Sequence, residues 1–252
     1  GRVDYIHFST AIFTNLTQDH LDFHQDMEDY FNAKKKLFEA LDENGVAILN
    51  HDDVTYERLK QVTKAQVLSY GVRGGTYHAQ DISLKMENTT FNVDGVHIES
   101  DLLSIANIYN LLAVYTTLVT YGYDKKTIVQ NISQLPHING RMEKVYNQDF
   151  LALVDYAHSP DSVENALSFL QEIKKGRLIA IVGCGGDRDR TKRPKMALVA
   201  CQKADLAILT SDNPRTENPE NILKDMCEGL NYTNYCVIVN RKEAIQKAIS
   251  MA

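Results

Sequence analysis

Hydrophobic and polar positions change their period several times along the chain, and each change marks an element. In the C-terminal part, the mostly apolar runs Phe150–Tyr156, Arg177–Val182, Leu206–Thr210 and Tyr235–Val239 predict strands. Between and after them, Asp161–Leu170, Met196–Lys203, Pro219–Leu230 and Lys242–Ser250 predict helices, with Pro194 suited to a first helical turn. Strands that are apolar along most of their length are covered on both faces. The alternation therefore predicts a parallel sheet wrapped by helices.

The N-terminal part alternates too, with an interruption. Ile6–Asn15 contains a strand, Met27–Leu41 reads as a helix, Gly45–Leu49 as a strand, Val54–Val62 as a helix and Gln66–Tyr70 as a short strand. Residues 77–99 (ISLKME, TTFNV, VHIE) are punctuated by Gly and Asn and predict a small antiparallel patch. Helices follow at Leu102–Tyr121 and Lys126–Leu135, and Leu135–Arg141 reads as a hinge. The fold class is α/β, in two successive domains, 1–143 and 144–252.

Composition narrows the function classes. With 252 residues, 44% of them hydrophobic, the chain can bury a sizeable core. A formal net charge of −6 makes nucleic acid and anionic membrane surfaces poor partners. No apolar run approaches the ~20 residues of a membrane span, and no basic-then-apolar leader opens the chain. Cys184, Cys201, Cys227 and Cys236 lack CxxC spacing, which argues against a disulfide framework and a structural zinc site. A cytoplasmic globular protein is expected. Gly1 stands where an initiating Met would, so a piece of a longer chain is expected as well.

The polar residues gather where a parallel α/β sheet binds ligands, in loops after strand C-termini. Those loops read Asp155–His158, Cys184–Arg190 and Ser211–Arg215. Loops are polar in any case, but three in succession with Asp beside Arg or His favour a functional edge. Arg188 and Arg215 suit carboxylate or phosphate, and Asp212 and Asn213 suit an ammonium, so a zwitterion such as an amino acid fits.

In the N-terminal part, His20 and His24 share a face if their stretch is helical, a spacing that chelates metal or simply marks surface histidines. Met27, Tyr30, Phe31, Leu37, Phe38 and Leu41 form an apolar stripe with Lys34 in its middle. A lysine there is expected to be desolvated and reactive as the neutral amine. Asn107 and Asn110 could present two amides to one ligand or edge a packed helix; spacing does not separate these.

At these residues the chain resembles a known family. Residues 13–24 (FTNLTQDHLDFH) and 27–38 (MEDYFNAKKKLF) are similar to the ATPase domain of the Mur ligases. Residues 154–167 (VDYAHSPDSVENAL), 182–194 (VGCGGDRDRTKRP) and 210–219 (TSDNPRTENP) resemble the members that add diaminopimelate. The resemblance implies a central ATPase-type domain followed by a Rossmann-like C-terminal domain, both incomplete. It also implies an ATP-dependent ligase of peptidoglycan synthesis that phosphorylates a UDP-N-acetylmuramoyl dipeptide carboxylate and lets an amine attack the acyl phosphate, with Mg2+ present. His20 then matches a magnesium ligand, and Lys34 the lysine carried as a carbamate (N-carboxylated lysine) that supports the metal site. Asn107, Asn110, Arg141, Asp155 and His158 match nucleotide-contacting positions, Arg188, Asp212, Asn213 and Arg215 the diaminopimelate site, and Arg2 an arginine toward the muramoyl peptide. The full-length protein is expected to be a monomer.

The pattern departs from the family at one decisive point. No Gly-Lys-Thr or Gly-Lys-Ser P-loop occurs, and Gly183–Gly186 continues into Asp-Arg. Little ligase activity is therefore expected of these residues alone. Other readings stay open: a lysine-adding ligase, a non-catalytic binding module, or a metal hydrolase built on His20, His24 and nearby aspartates.

Overall fold

The structure, a computed structural model, describes residues 5–17 and 23–252; Arg2 and His20 lie outside them. The described residues form two compact units, 5–17 with 26–137 and 23–25 with 138–252.

In the first unit β1 (Thr10–Phe13), α1 (Met27–Glu39), β2 (Val46–Asn50), α2 (Tyr56–Val62), β3 (Gln66–Gly71) and β4 (Tyr77–His78) follow one another. The strands form a parallel sheet in the order β1-β2-β3-β4. Asp26 caps α1 by accepting from the Asp29 amide at 2.8 Å, and Glu28 and Asp29 complement the helix dipole. Phe31 and Phe38 of α1, with Leu59 of α2, bury against Ala11, Phe13, Ala47 and Leu49 on one sheet face.

The opposite face is closed by the later elements of the unit. β5 (Gln80–Leu84), β6 (Thr89–Val93) and β7 (Val96–Ser100) make a small antiparallel sheet, and α3 (Ile105–Thr120) and α4 (Lys125–Ile132) complete the unit. Phe91, Val93 and Ile98 share one core with Ile48, Tyr70, Ile108, Leu111, Leu112, Tyr115, Ile128 and Ile132. Tyr77 and His78 were expected in the antiparallel patch but extend the parallel sheet beside Tyr70 and Gly71. Gly75, at φ +116°, turns the chain back, and the Ser69 hydroxyl accepts from the Thr76 amide at 2.9 Å to hold the turn.

The second unit opens with β8 (Glu143–Asn147) and β9 (Leu151–Val154) and continues through α5 (Pro160–Ile173), β10 (Ile179–Val182), α6 (Lys192–Lys203), β11 (Leu206–Thr210), α7 (Pro219–Cys227), β12 (Tyr235–Ile238) and α8 (Arg241–Ile249). A parallel sheet runs β10-β11-β12. Alternate residues take opposite faces, as strand geometry requires. Ala180, Ala207 and Leu209 pack under α5, α6 and α7 with Val163, Leu167, Met196, Ala200, Ile222 and Met226. Ile179, Ile181, Leu206 and Ile208 meet Ala244 and Ala248 of α8 on the other face.

One expectation is corrected here. The run Phe150–Tyr156 does not join the parallel sheet; β9 pairs antiparallel with β8, a strand the sequence pattern did not mark. The two are close in the chain, so closing the hairpin costs little loop entropy, and the Tyr146 and Phe150 rings stack at 4.5 Å beside the turn.

Candidate functional site

Parallel β10 and β11 end side by side, which brings their following loops together. A cleft of about 570 Å³ opens there, lined on its polar side by Asp155, His158, Arg188, Lys192, Asp212, Arg215 and Arg241. Its apolar side comes from β10 and the inner face of α5. Five of the sequence-marked residues thus line one cleft. Asn213 and Arg141 are not among its lining residues.

Each of those two has another placement. Asn213 gives its carbonyl to the Gly186 amide at 2.9 Å and its side-chain oxygen to the Arg215 amide at 3.3 Å, so it holds the loop rather than facing the cleft. The Arg141 guanidinium lies 4.9 Å from the centre of the Tyr156 ring, a cation–π pair.

Asp155 works on the backbone. Its carboxylate accepts from the Met142 amide at 2.9 Å and the Ala157 amide at 2.8 Å, tying the start of β8 to the end of β9. His158 pairs its Nδ1 with the Tyr156 carbonyl at 3.0 Å. A carbonyl only accepts, so Nδ1 carries the proton and Nε2 is the acceptor of the neutral ring.

Sequence reasoning missed the residues beneath this cleft. Arg193 is fully buried on α6, donating to Glu217 at 2.6 and 2.9 Å, to Asp225 at 2.7 Å and to the Gly185 carbonyl at 3.4 Å. The Arg193 hydrogen bonds hold the Glu217 carboxyl down to about 2, helped by the Asp187 amide. Burial raises the Asp225 carboxyl, but hydrogen bonds from Arg193 and Arg190 bring it below its ordinary value. A signal was present: Lys192 and Arg193 place two cations in a first helical turn, against the helix dipole, which calls for nearby acids. Cys184 is buried, which pushes its thiol up to about 12 and leaves it without nucleophilic character.

In the first unit, Lys34 faces a cavity of about 250 Å³ with Ile12, Phe13, Thr14, Asn15, Leu37 and Phe38. The stripe around it is buried at Phe31, Phe38 and Leu41, but Lys34 itself is only half-buried, its ammonium 5.1 Å from the centre of the Tyr30 ring. Desolvation of Lys34 is therefore partial.

Asn107 is buried and donates to the Leu103 carbonyl at 2.7 Å, while its oxygen accepts from Asn110 at 3.2 Å. Asn107 therefore serves as a packed polar support, and exposed Asn110 is the amide turned outward. Among the described residues, no three His, Cys, Asp or Glu side chains cluster as a metal site. No described helix is long and apolar enough to cross a membrane.

The geometry meets a family match at both units. The Mur ligase middle domain matches residues 1–118, and the Mur ligase, glutamate ligase domain matches residues 140–252. The chain belongs to the Mur ligase family. Among relatives of that family, the UDP-N-acetylmuramoyl-L-alanyl-D-glutamate–2,6-diaminopimelate ligase of Geobacillus thermodenitrificans is 42% identical over 266 aligned residues, covering all of this chain and 54% of the relative. A solved structure of a ligase with that name has a TM-score of 0.63 at 34% identity, covering 100% of this chain and 54% of that one. A MurF ligase from Thermotoga maritima, solved in complex with ADP, gives a TM-score of 0.71 at 17% identity over 99% of this chain and 62% of its own, a likeness of fold alone. The chain spans about half the length of the curated relatives it matches.

Proposed function

We propose that the parent protein is an ATP-dependent amide-forming ligase that joins meso-2,6-diaminopimelate to UDP-N-acetylmuramoyl-L-alanyl-D-glutamate through an acyl phosphate, as a cytoplasmic monomer in peptidoglycan synthesis. One observation carries most of the weight: Arg188, Asp212 and Arg215 line the same cleft. Diaminopimelate has an ammonium and a carboxylate at each end, and a wall with two guanidiniums and a carboxylate offers both carboxylates and one of the two ammoniums an opposite partner. Asp212, with Asn213 behind it, receives an ammonium; Arg188 and Arg215 receive carboxylates; Arg2 reaches the muramoyl peptide. Asn110, held by buried Asn107, is the nucleotide candidate of the first unit, and Arg141, Asp155 and His158 are those of the second.

ATP supplies the phosphoryl group that activates the acceptor carboxylate, and Mg2+ screens its charge. His20 and a carboxylated Lys34 would hold the metal. Thr14 and Asn15 give the Lys34 cavity neutral oxygen donors, and a carbamate on Lys34 would add the anionic oxygen that Mg2+ prefers and that wall lacks.

The test is competition on the full-length enzyme. Wild type is expected to incorporate diaminopimelate in preference to L-lysine, and Arg215→Ala to narrow that preference by about tenfold, the worth of one charge-assisted pair. Lysine has no far carboxylate, so Arg215 would stand opposite it unmatched. Preference of the unmodified enzyme for lysine would sink the assignment. A metal hydrolase reading would instead require transition-metal-dependent hydrolysis that survives loss of Lys34.

A further inference from the structure

Two loops frame the polar end of the cleft: Gly183–Arg190 after β10 and Ser211–Glu217 after β11. They are joined to each other more densely than loop packing requires. The Gly186 amide donates to the Asn213 carbonyl at 2.9 Å, and Arg215 Nη1 donates to the Gly186 carbonyl at 2.6 Å. The Asp187 amide donates to Glu217 at 2.6 Å. Asp187 in return accepts from the Thr216 amide at 3.0 Å and from the Thr216 hydroxyl at 2.8 and 2.9 Å. Arg193 underpins all of this through Glu217 and the Gly185 carbonyl.

The approach is close enough to exclude side chains. A Cβ on Gly186 would stand 1.9 Å from the Pro214 carbonyl oxygen, so only glycine admits the contact. Asp187 and Arg215 face each other across it in left-handed backbone, φ +51° and +50°, a conformation that non-glycine residues hold only where surrounding bonds enforce it. The strain falls beside Arg188 and on Arg215 itself, the two guanidiniums of the cleft wall.

We propose that Asp187, Thr216 and Glu217 form a clasp whose role is to set the spacing of Arg188 and Arg215, making them positioning residues for recognition of the amino-acid substrate. This rests on the assignment of the cleft to that substrate. Loosening the clasp lets the two guanidiniums drift relative to each other, and a ligand that bridges them loses pre-organisation. The nucleotide-contacting positions make none of the clasp's bonds, so nucleotide use is independent of it.

Thr216 is exposed, so its variants test the clasp without risking the fold. In the full-length ligase, Thr216→Val is expected to raise KM for the amino-acid substrate about tenfold, with kcat within about threefold and KM for ATP unchanged. Thr216→Ser, which keeps the hydroxyl, is expected to restore wild-type KM. Hydrogen exchange in the ligand-free protein should quicken at residues 183–190 in Thr216→Val and not in Thr216→Ser. A fall in kcat with unchanged amino-acid KM, or failure of serine to rescue, would overturn the clasp. If wild type uses lysine rather than diaminopimelate, the substrate assignment fails instead, and the clasp is judged by KM for lysine and by exchange.

Discussion

The two units face one task, holding loops still at the carboxyl ends of a parallel sheet, and they meet it with opposite chemistry. In the first unit the anchors are short polar side chains at the strand end itself, chiefly carboxylate acceptors. Asp52 accepts from the Val72 amide at 2.7 Å, the Arg73 amide at 3.0 Å and the Tyr109 hydroxyl at 2.8 Å. Asp53 accepts from the Leu16 amide at 2.9 Å, and Asn50 donates to the Thr14 carbonyl at 2.7 Å, which fixes the wall of the Lys34 cavity. In the second unit the anchor is a buried donor, Arg193, which cannot serve an amide directly. It acts through Glu217, whose carboxylate takes the Asp187 amide. A carboxylate takes a loop amide in one step; Arg193 reaches an amide only through a second carboxylate, and stakes a buried charge on it.

That difference sets the order of mutational cost. Arg193→Met should be the more damaging, because it leaves Glu217 and Asp225 facing each other without their shared cation. Breaking a buried pair on one side costs about 3–5 kcal/mol. Urea unfolding of the variant would measure it, and a loss below about 1 kcal/mol would show that the guanidinium is not the anchor it looks to be.

Asp52→Ala should cost less, about 2–3 kcal/mol, since two amides and one hydroxyl lose a carboxylate but no buried ion is stranded. Burial raises the Asp52 carboxyl, yet the Arg73 and Val72 amides and the Tyr109 hydroxyl outweigh it and hold the group below its ordinary value. Tyr109→Phe isolates one of those bonds, at about 1.5 kcal/mol. If Asp52→Ala equals Arg193→Met in urea midpoint, the distinction between acceptor and donor anchors does not hold.

Acid sharpens the contrast. Glu217 titrates at about 2 in the folded protein against an ordinary 4.5, so its contribution is fully present above about 4.5 and is lost as pH falls toward 2. The urea midpoint should therefore fall with pH across that window, and Glu217→Gln should flatten the fall. An equally steep fall in the variant would place the acid sensitivity elsewhere, with Asp52 the first alternative.

Most of the strands and helices were legible from period alone, because their packing follows it: Ala207 and Leu209 face one side of β11, Leu206 and Ile208 the other. The pairing of β9 was not legible. Its apolar pattern suits either the parallel sheet or a hairpin, and β8 (EKVYN) is too polar to announce itself as a partner. Of the site, Arg188, Asp212 and Arg215 stood out because ionisable groups after strands are conspicuous. Asp52, Arg193, Glu217 and Arg241 did not, since their partners lie 20 or more positions away: Arg73 for Asp52, Glu217 for Arg193, Ser211 for Arg241. Spacing reports neighbours on one element, and these bonds join different ones.

The smallest expected effect separates the units at a single helix end. Asp26 caps α1 from an exposed position, whereas Ser159 caps α5 from a buried one and shares a reciprocal box with Ser162. Capping residues contribute about 0.5–2 kcal/mol, and water can replace an exposed cap in part but not a buried one. Ser159→Ala should thus fall near the upper end, since the amide of half-buried Ser162 loses its acceptor and the Ser162 hydroxyl one of its contacts, and Asp26→Ala near the lower. Thermal unfolding resolves a difference of this size. A larger loss at Asp26 would mean that charge at the helix end, rather than burial of the cap, governs how firmly each unit holds its first turn.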